Sequence, residues 1–423
     1  MMFRFLHTAD IHLDSPLRGL ELPEDAPHDQ IRAATRLALD NMVDLAIREK
    51  VSFVLIAGDV YDGDWRDFNT GLFFNQRMAQ LRDANIRVFV VSGNHDAASQ
   101  ISKSLRLPDN VHVFPTRKPD SVVIDDLNVV IHGQSFASRS VMDNISSNYP
   151  KVKSGGFNIG LLHTALSGRE GHEPYAPCTA DGLRAKGYQY WALGHVHQRE
   201  EVLGDPWIVF PGNIQGRHIR ETGVKGCTLV TVEENQISQV EHVALDVLRW
   251  NLCQVDVNAC ANTDEVYERV QKAFEKTLIE GDGRPVVVRL ELQGTTAAHQ
   301  KLHVQSVYWT EEFRSLAANL GGAGIWLEKV RLKTREQIDT ETLMQGDTPI
   351  GMLLANLRDI AIDVDKLSDL DPEMATFLNK LPAEIRGGED SFDPTNPIQW
   401  GEIISDVKDL LVARLLNLEG QEK

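Results

Sequence analysis

The chain has 423 residues, 42% apolar and 25% charged, a globular mixture with room for two or three domains. Its formal net charge of −18 excludes a protein held on nucleic acid or anionic lipid by its overall field, although a local basic groove stays open. No apolar run approaches the roughly 18 residues of a membrane span, so no membrane partner is expected. Met1–Leu13, broken by Arg4, His7 and Asp10, does not read as a secretory signal. The four cysteines, Cys178, Cys227, Cys253 and Cys260, form no C-x-x-C pair, and a reducing cytoplasm is the expected setting.

In chain order, Phe3–His7 reads as a strand and Ile31–Ile47 as a helix, with Ile31, Ala34, Ala38, Met42 and Leu45 at helical spacing. Phe53–Ala57 is a buried-strand run, Asn69–Leu81 a second helix and Val88–Val91 a third strand. This is the rhythm of a layered α/β domain. After Ser121 short strands dominate: Val122–Ile124, Val129–His132, Ile159–Leu162, Tyr190–Leu193, Ile208–Phe210, Thr228–Val232 and Val240–Ala244. Either an extended sheet or a two-sheet sandwich accounts for them. A second unit opens near Arg249: strand Leu252–Val257, helix Asp264–Leu278, strand Val286–Leu292, a helical stretch to Leu320, and strand Ile325–Leu332. That is a βαβαβ module of about ninety residues. Beyond Asp347, helices are predicted over Ile350–Ala361, Glu373–Lys380 and Trp400–Leu416. The expected domains are therefore 1–248, 249–340 and 341–423.

Five short motifs follow predicted strands: Asp10-Ile-His12, Gly58-Asp59-Val-Tyr-Asp62, Gly93-Asn94-His95-Asp96, the lone His163, and Gly194-His195-Val-His197. Ligands of open α/β sheets gather beyond the carboxyl ends of strands, so these motifs can converge. In an extended segment residues i and i+2 project to one side, which would pair Asp10 with His12 and His195 with His197. The glycines at 58, 93 and 194 would let the chain turn as each strand ends. Carboxylate, imidazole and one amide oxygen suit Mn²⁺, Fe²⁺ or Zn²⁺, and a set without thiolate is unlike a structural zinc site. Two metals about 3.5–4 Å apart need a bridging carboxylate, for which Asp59 is the natural choice. Each motif alone is weak, and His163 alone would be an ordinary strand-end histidine.

Taken in order, the five motifs resemble the pattern of the calcineurin-like metallophosphoesterases. That resemblance implies a four-layer αββα sandwich in which Asp10, His12 and His197 hold one metal, Asn94, His163 and His195 the other, and Asp59 bridges. The metal pair would activate a water for in-line attack on phosphorus. His95 would orient the phosphate and help protonate the leaving oxygen, and Asp96 would set its tautomer and basicity.

Phe5-Leu-His-Thr-Ala-Asp-Ile-His-Leu-Asp14, Ile56–Asp62 and Val91–Asp96 are similar to the SbcD-type DNA repair exonucleases, and Pro211–His218 resembles that family's YhaO-like branch. The resemblance implies DNA as substrate, two divalent metal ions of which Mn²⁺ is the expected identity, a small α+β capping domain, and C-terminal helices that grip an SbcC-like coiled-coil ATPase. A homodimer is expected of such a family. Where parts of the wider family carry a histidine three residues after the bridging aspartate, this chain has Asp62, so that role is reduced or reassigned. Arg217, His218 and Arg220 are candidate phosphate contacts, with solvated surface charge as the plain alternative. The stripe Ile403, Ile404, Val407, Leu410, Leu411 and Leu415 suits either a partner coiled coil or the chain's own core.

Two other readings stay open: hydrolysis of a small nucleotide or phosphomonoester, and a non-catalytic adaptor built on a phosphoesterase shell. Residues 347–423 hold 7 Lys/Arg against 16 Asp/Glu, so much of the acidity lies in the tail. The remainder is still acidic, which leads us to expect a nuclease that depends on a partner for DNA affinity.

Overall fold

Alternation along the strands sets the layers of the molecule. In β1 (Met2–Thr8), Phe3 and Phe5 face one side and Leu6 the other. In β2 (Phe53–Ile56), Phe53 and Leu55 alternate with Val54 and Ile56; in β3 (Arg87–Val90), Phe89 alternates with Val88 and Val90. Both faces are buried, which is why these strands read as continuous apolar runs. The computed structural model describes residues 2–15, 28–62, 68–98, 106–152, 154–166, 175–321 and 324–336.

The chain divides into two compact units. One comprises Met1–Cys253, Gln271–Leu290 and Glu312–Val330; the other comprises Gln254–Val270, Glu291–Glu311 and Arg331–Lys423. The first unit contains two six-stranded sheets. With β4 (Val111–Val113), β11 (Gly226–Glu233) and β12 (Gln236–Ala244), the first sheet runs β12-β11-β1-β2-β3-β4. Strands β1 to β4 are parallel, and β11 is antiparallel to β1. The second sheet consists of β5 (Asp120–Ile124), β6 (Val129–Gly133), β7 (Phe157–His163), β8 (Tyr190–Gly194), β9 (Glu200–Gly204) and β10 (Trp207–Phe210). Its order is β5-β6-β7-β8-β10-β9.

Ile159, Leu161, Tyr190, Ala192 and Val209 of the second sheet join Phe3, Phe5, Phe53, Leu55 and Phe89 in one core between the sheets. The Phe5 and Phe53 rings stack there at 5.0 Å. On the far side of the first sheet, α1 (His28–Arg48) contributes Leu39, Met42, Val43 and Ala46, and α2 (Phe68–Asp83) contributes Phe74, Met78 and Leu81. Leu162, Trp191, Leu193, Ile208 and Phe210 face outward from the second sheet. They pack with Phe136, Tyr149 and with Leu183 of α4 (Ala180–Arg184). The result is the expected four-layer αββα sandwich.

A short helix, α3 (Asn94–Ala98), starts within the G-N-H-D motif. Strands β4 and β9 escape the sequence reading for physical reasons. The first has three residues, one of them His112, and the second opens on Glu200-Glu201 at a sheet edge, with no apolar alternation. Downstream come β13 (Arg249–Asp256), α5 (Thr263–Glu280), β14 (Val286–Thr296), α6 (His299–Val304), α7 (Ser306–Asn319) and β15 (Ile325–Glu336), with sheet order β13-β14-β15. The anticipated second helix of this module is thus two helices, broken at Gln305. Helices expected over 350–361, 373–380 and 400–416, with the apolar stripe from Ile403 to Leu415, lie outside the described residues. Among the described residues, no helix is long and apolar enough to cross a membrane.

Candidate metal centre

Register brings the motifs to one end of the sandwich. Thr8 pairs with Ile56, Ile56 with Val90, and in the other sheet His163 with Gly194, so the strands end level. The loops after β1 and β2 then run side by side, with the Asp10 N–H donating to Gly58 O (3.0 Å) and the His12 N–H to Asp59 O (3.0 Å). Asp10 (φ 50°), His12 (φ 44°), Asp59 (φ 53°) and His195 (φ 106°) all have positive φ. The expectation that Asp10/His12 and His195/His197 converge through extended backbone is therefore corrected. Left-handed residues curl these loops inward, a conformation costly enough to be kept only where the surroundings enforce it.

The glycines serve two duties, and Gly58 serves both. Gly58 (φ 95°) has a backbone that disfavours L side chains. All three also supply space: a Cβ at Gly58 would strike His163 Nδ1, one at Gly93 the Asp59 carboxylate, and one at Gly194 the Ala57 carbonyl oxygen. Because Ala57 is fixed in the buried sheet by its N–H to Thr8 O (2.8 Å), Gly194→Ala should cost about 1–3 kcal/mol by overpacking. It should also displace His195 and His197. Thermal melting together with Mn²⁺ titration checks this; a variant with unchanged melting and metal binding contradicts it.

Asp10, His12 and His197 form one group whose ligand atoms all lie within 4.8 Å of one another, and Asp59, His163 and His195 form a second. His12 Nε2 faces His197 Nε2 at 3.1 Å. His163 Nε2 lies 3.5 Å from Asp59 Oδ2 and 2.9 Å from Asn94 Oδ1, which places Asn94 at the second group. The seven expected ligand residues thus occupy one locale. The Nδ1–H of His163 donates to Ala57 O (2.8 Å), which leaves Nε2 free to act as a ligand. Asp10 accepts the His195 N–H (2.9 Å), and Asp59 Oδ1 accepts the His95 N–H (2.9 Å).

Electrostatics tests whether divalent ions fit. Burial raises the Asp10 carboxyl well above the usual carboxylate range, and the Asp59 charge raises it further; burial raises Asp59 as well. Burial also lowers the imidazoles, His163 to about 4, with His12 and His197 moving the same way. His12 Nδ1 is buried with no hydrogen-bond partner. Acids discouraged from ionising beside neutral imidazoles are what divalent cations resolve, because they favour the charged acids and use the neutral lone pairs. The donor set fits a dinuclear centre.

A third group, His12, Asp62 and His95, was not anticipated. His95 Nδ1 lies 3.0 Å from Asp62 Oδ1, and Asp62 Oδ2 accepts the Ser15 hydroxyl at 2.7 Å. Burial works to lower the His95 pKa, but the Asp62 hydrogen bond and the Asp59 and Asp62 charges outweigh it, and the net direction is upward. The expected partnership of Asp96 with His95 is corrected. Asp96 instead accepts the backbone N–H groups of Tyr61 (3.0 Å), Val60 (3.2 Å) and Gly93 (3.2 Å), tying the second motif to the third. Burial and Asp59 raise its carboxyl to about 6. Asp62 takes the place at His95 because its side chain reaches Nδ1 while that of Asp96 is engaged with these N–H groups.

Of the three candidate phosphate contacts, Arg217 is drawn into the site. Its guanidinium donates to Glu221 (2.8 Å) and Ser15 (3.4 Å), and its Nη2 lies 3.2 Å from His197 Nδ1. His218 Nε2 lies 3.4 Å from Glu221, and the Arg220 N–H donates to His218 Nδ1. Sequence reasoning missed Ser15 and Glu221. A serine after a D-x-H motif and a lone glutamate in a polar turn carry no periodicity or spacing that marks them.

Residues 3–199 match the calcineurin-like phosphoesterase family, and residues 250–335 match the middle domain of metallophosphoesterase YhaO. An uncharacterized metallophosphoesterase YhaO from Bacillus subtilis (strain 168) is 39% identical over 295 residues, covering 69% of this chain and 72% of its own. A DNA double-strand break repair protein Mre11 from Sulfurisphaera tokodaii is 23% identical over 372 residues, covering 84% of this chain and 87% of its own. The Mre11 of Sulfolobus acidocaldarius is 21% identical over 353 residues, covering 78% of this chain and 86% of its own. With the paired ligand groups at the strand ends and this similarity, the chain belongs to the calcineurin-like metallophosphoesterases, hydrolases built around two divalent metal ions.

Proposed function

We propose that this chain hydrolyses the phosphodiester backbone of DNA with two Mn²⁺ ions, as the nuclease subunit of a repair complex with an SbcC-like coiled-coil ATPase. The observation that carries the reading is the meeting of the two ligand groups with His95, whose upward-shifted pKa suits an acid. Similarity to two proteins described as DNA double-strand break repair protein Mre11 supports the choice of DNA.

When bound, the metal pair supplies an activated nucleophile and stabilises charge on the phosphate oxygens. The chain's own residues do the rest. His163 and His197 present Nε2 because each Nδ1 is engaged, by Ala57 O and by Glu221. His95, held by Asp62, carries a proton to the leaving oxygen. The net charge of −18 makes weak DNA binding by the chain alone the expectation, and a partner is the remedy.

Purified protein with Mn²⁺ and linear single- or double-stranded DNA should release nucleotides, and chelation should stop it. Inert DNA beside rapid turnover of a small nucleotide overturns the DNA reading and leaves the hydrolase. Co-purification with a long coiled-coil ATPase supports the complex, whereas full DNA affinity in the isolated chain overturns it.

A further inference from the structure

Glu221 lies outside every motif in the sequence, yet it is 4% exposed at the edge of the site. Its Oε1 accepts from His197 Nδ1 (2.6 Å) and Arg217 Nη2 (2.8 Å). Its Oε2 accepts from the Asn213 side-chain amide (2.9 Å), the Arg217 N–H (2.8 Å) and Arg217 Nε (3.3 Å). Both oxygens are therefore committed, and the carboxylate has one orientation. Arg217 supplies the opposite charge that a buried carboxylate needs to stay ionised.

The two ligand groups consequently differ in what stands behind them. His163 Nδ1 donates to the neutral carbonyl of Ala57 at 2.8 Å, while His197 Nδ1 donates to a full carboxylate at 2.6 Å. A negatively charged acceptor on one ring nitrogen fixes the tautomer and makes the other nitrogen a stronger donor to metal. The freed nitrogen of His197 is Nε2, the atom that faces His12 beside Asp10. The group around His163 includes the neutral Asn94 amide oxygen, a weaker donor.

We propose that Glu221 is the positioning residue of His197 and that it makes the Asp10, His12 and His197 group the tighter of the two metal positions. The inference rests on the two-metal reading above and adds an order of occupancy. As metal concentration rises, the His197 position fills first, and the His163 position fills second.

Calorimetric titration of metal-free protein with Mn²⁺ provides the test. Wild type should show two classes of site. Glu221→Gln should weaken the tighter class by about 10–100-fold and leave the other within about twofold. Glu221→Asp, which keeps the charge beside Arg217 but draws it back from the imidazole, should shift the same class by less. Unchanged affinities, or equal weakening of both classes, overturn the inference. Wild type that binds no divalent ion overturns the two-metal reading itself, so the two failures are distinguishable. An independent readout needs no variant to fold: long-range proton–nitrogen spectra of Zn²⁺-loaded wild type should show His197 protonated at Nδ1 and more strongly downshifted there than His163. A His197 protonated at Nε2, or lacking that downshift, overturns the proposal.

Discussion

Asp59→Asn should lower metal-dependent phosphoester hydrolysis by well over about 100-fold, the upper end of what losing an outer-shell partner of a metal costs. Asp59 is buried, its Oδ2 stands 3.5 Å from His163, and it shares a group with His195 while raising the pKa of Asp10 by its charge. In the two-metal reading proposed above, Asp59 is the carboxylate expected to serve both metal positions. Asparagine is nearly isosteric and keeps an oxygen for the His95 N–H, so the loops should hold their shape. What disappears is the negative charge, and with it the second metal position.

The same substitution should have the opposite effect on the metal-free fold. Asp10 and Asp59 are both raised in the folded state, Asp10 by burial and Asp59's charge, Asp59 by burial. A raised pKa favours folding below the ordinary carboxylate range and loses that contribution as pH climbs through the shifted values. Metal-free wild type therefore bears a desolvation penalty at neutral pH, and Asp59→Asn removes its own share. Melting of the chelated proteins at pH 5 and pH 8 should show Asp59→Asn gaining more at the higher pH. Hydrolysis within tenfold of wild type would sink the bridging role.

Much of this site was legible because its chemistry is carried by residue types that have few other reasons to sit at strand ends. Asp10, His12, Asp59, Asn94, His195 and His197 stood out in short motifs after predicted strands, and the apolar runs of β1, β2, β3, β7 and β8 placed them at one end. The lone His163, and the set as metal ligands, came only with the family resemblance. Backbone conformation was not legible in that way. Nothing in Asp-x-His distinguishes an extended segment from the left-handed turn found at Asp10 and His12. Side-chain partners across the fold were equally hidden. Asp62 and Asp96 both lie within four residues of a ligand-type residue, and only the path of the loops decides which reaches His95 Nδ1. Glu221 is 24 residues from His197 and meets it only because the chain returns from β10 toward β11 past the site.

If the proposed DNA reading holds, His95→Ala should lower kcat on DNA by about 10²–10⁴-fold, the usual contribution of a positioned proton donor, with both metal positions still able to fill. The deficit should shrink with a substrate such as bis-p-nitrophenyl phosphate, whose leaving oxygen departs readily without a proton. If His95 served only to hold the phosphate, the two substrates would suffer alike. Asp62→Asn separates the proton from the ring. The Asp62 hydrogen bond and charge are what overcome burial and hold the His95 pKa up. Without them the imidazolium gives up its proton at lower pH. Because the donor must be protonated, activity falls as pH rises through the His95 pKa, so the alkaline limb of the kcat profile should move to lower pH in Asp62→Asn. Its maximal kcat should fall less than in His95→Ala, since the ring remains in place. Should that limb stay where it is in wild type, Asp62 does not set the acid, and the proton must reach the leaving oxygen by another route.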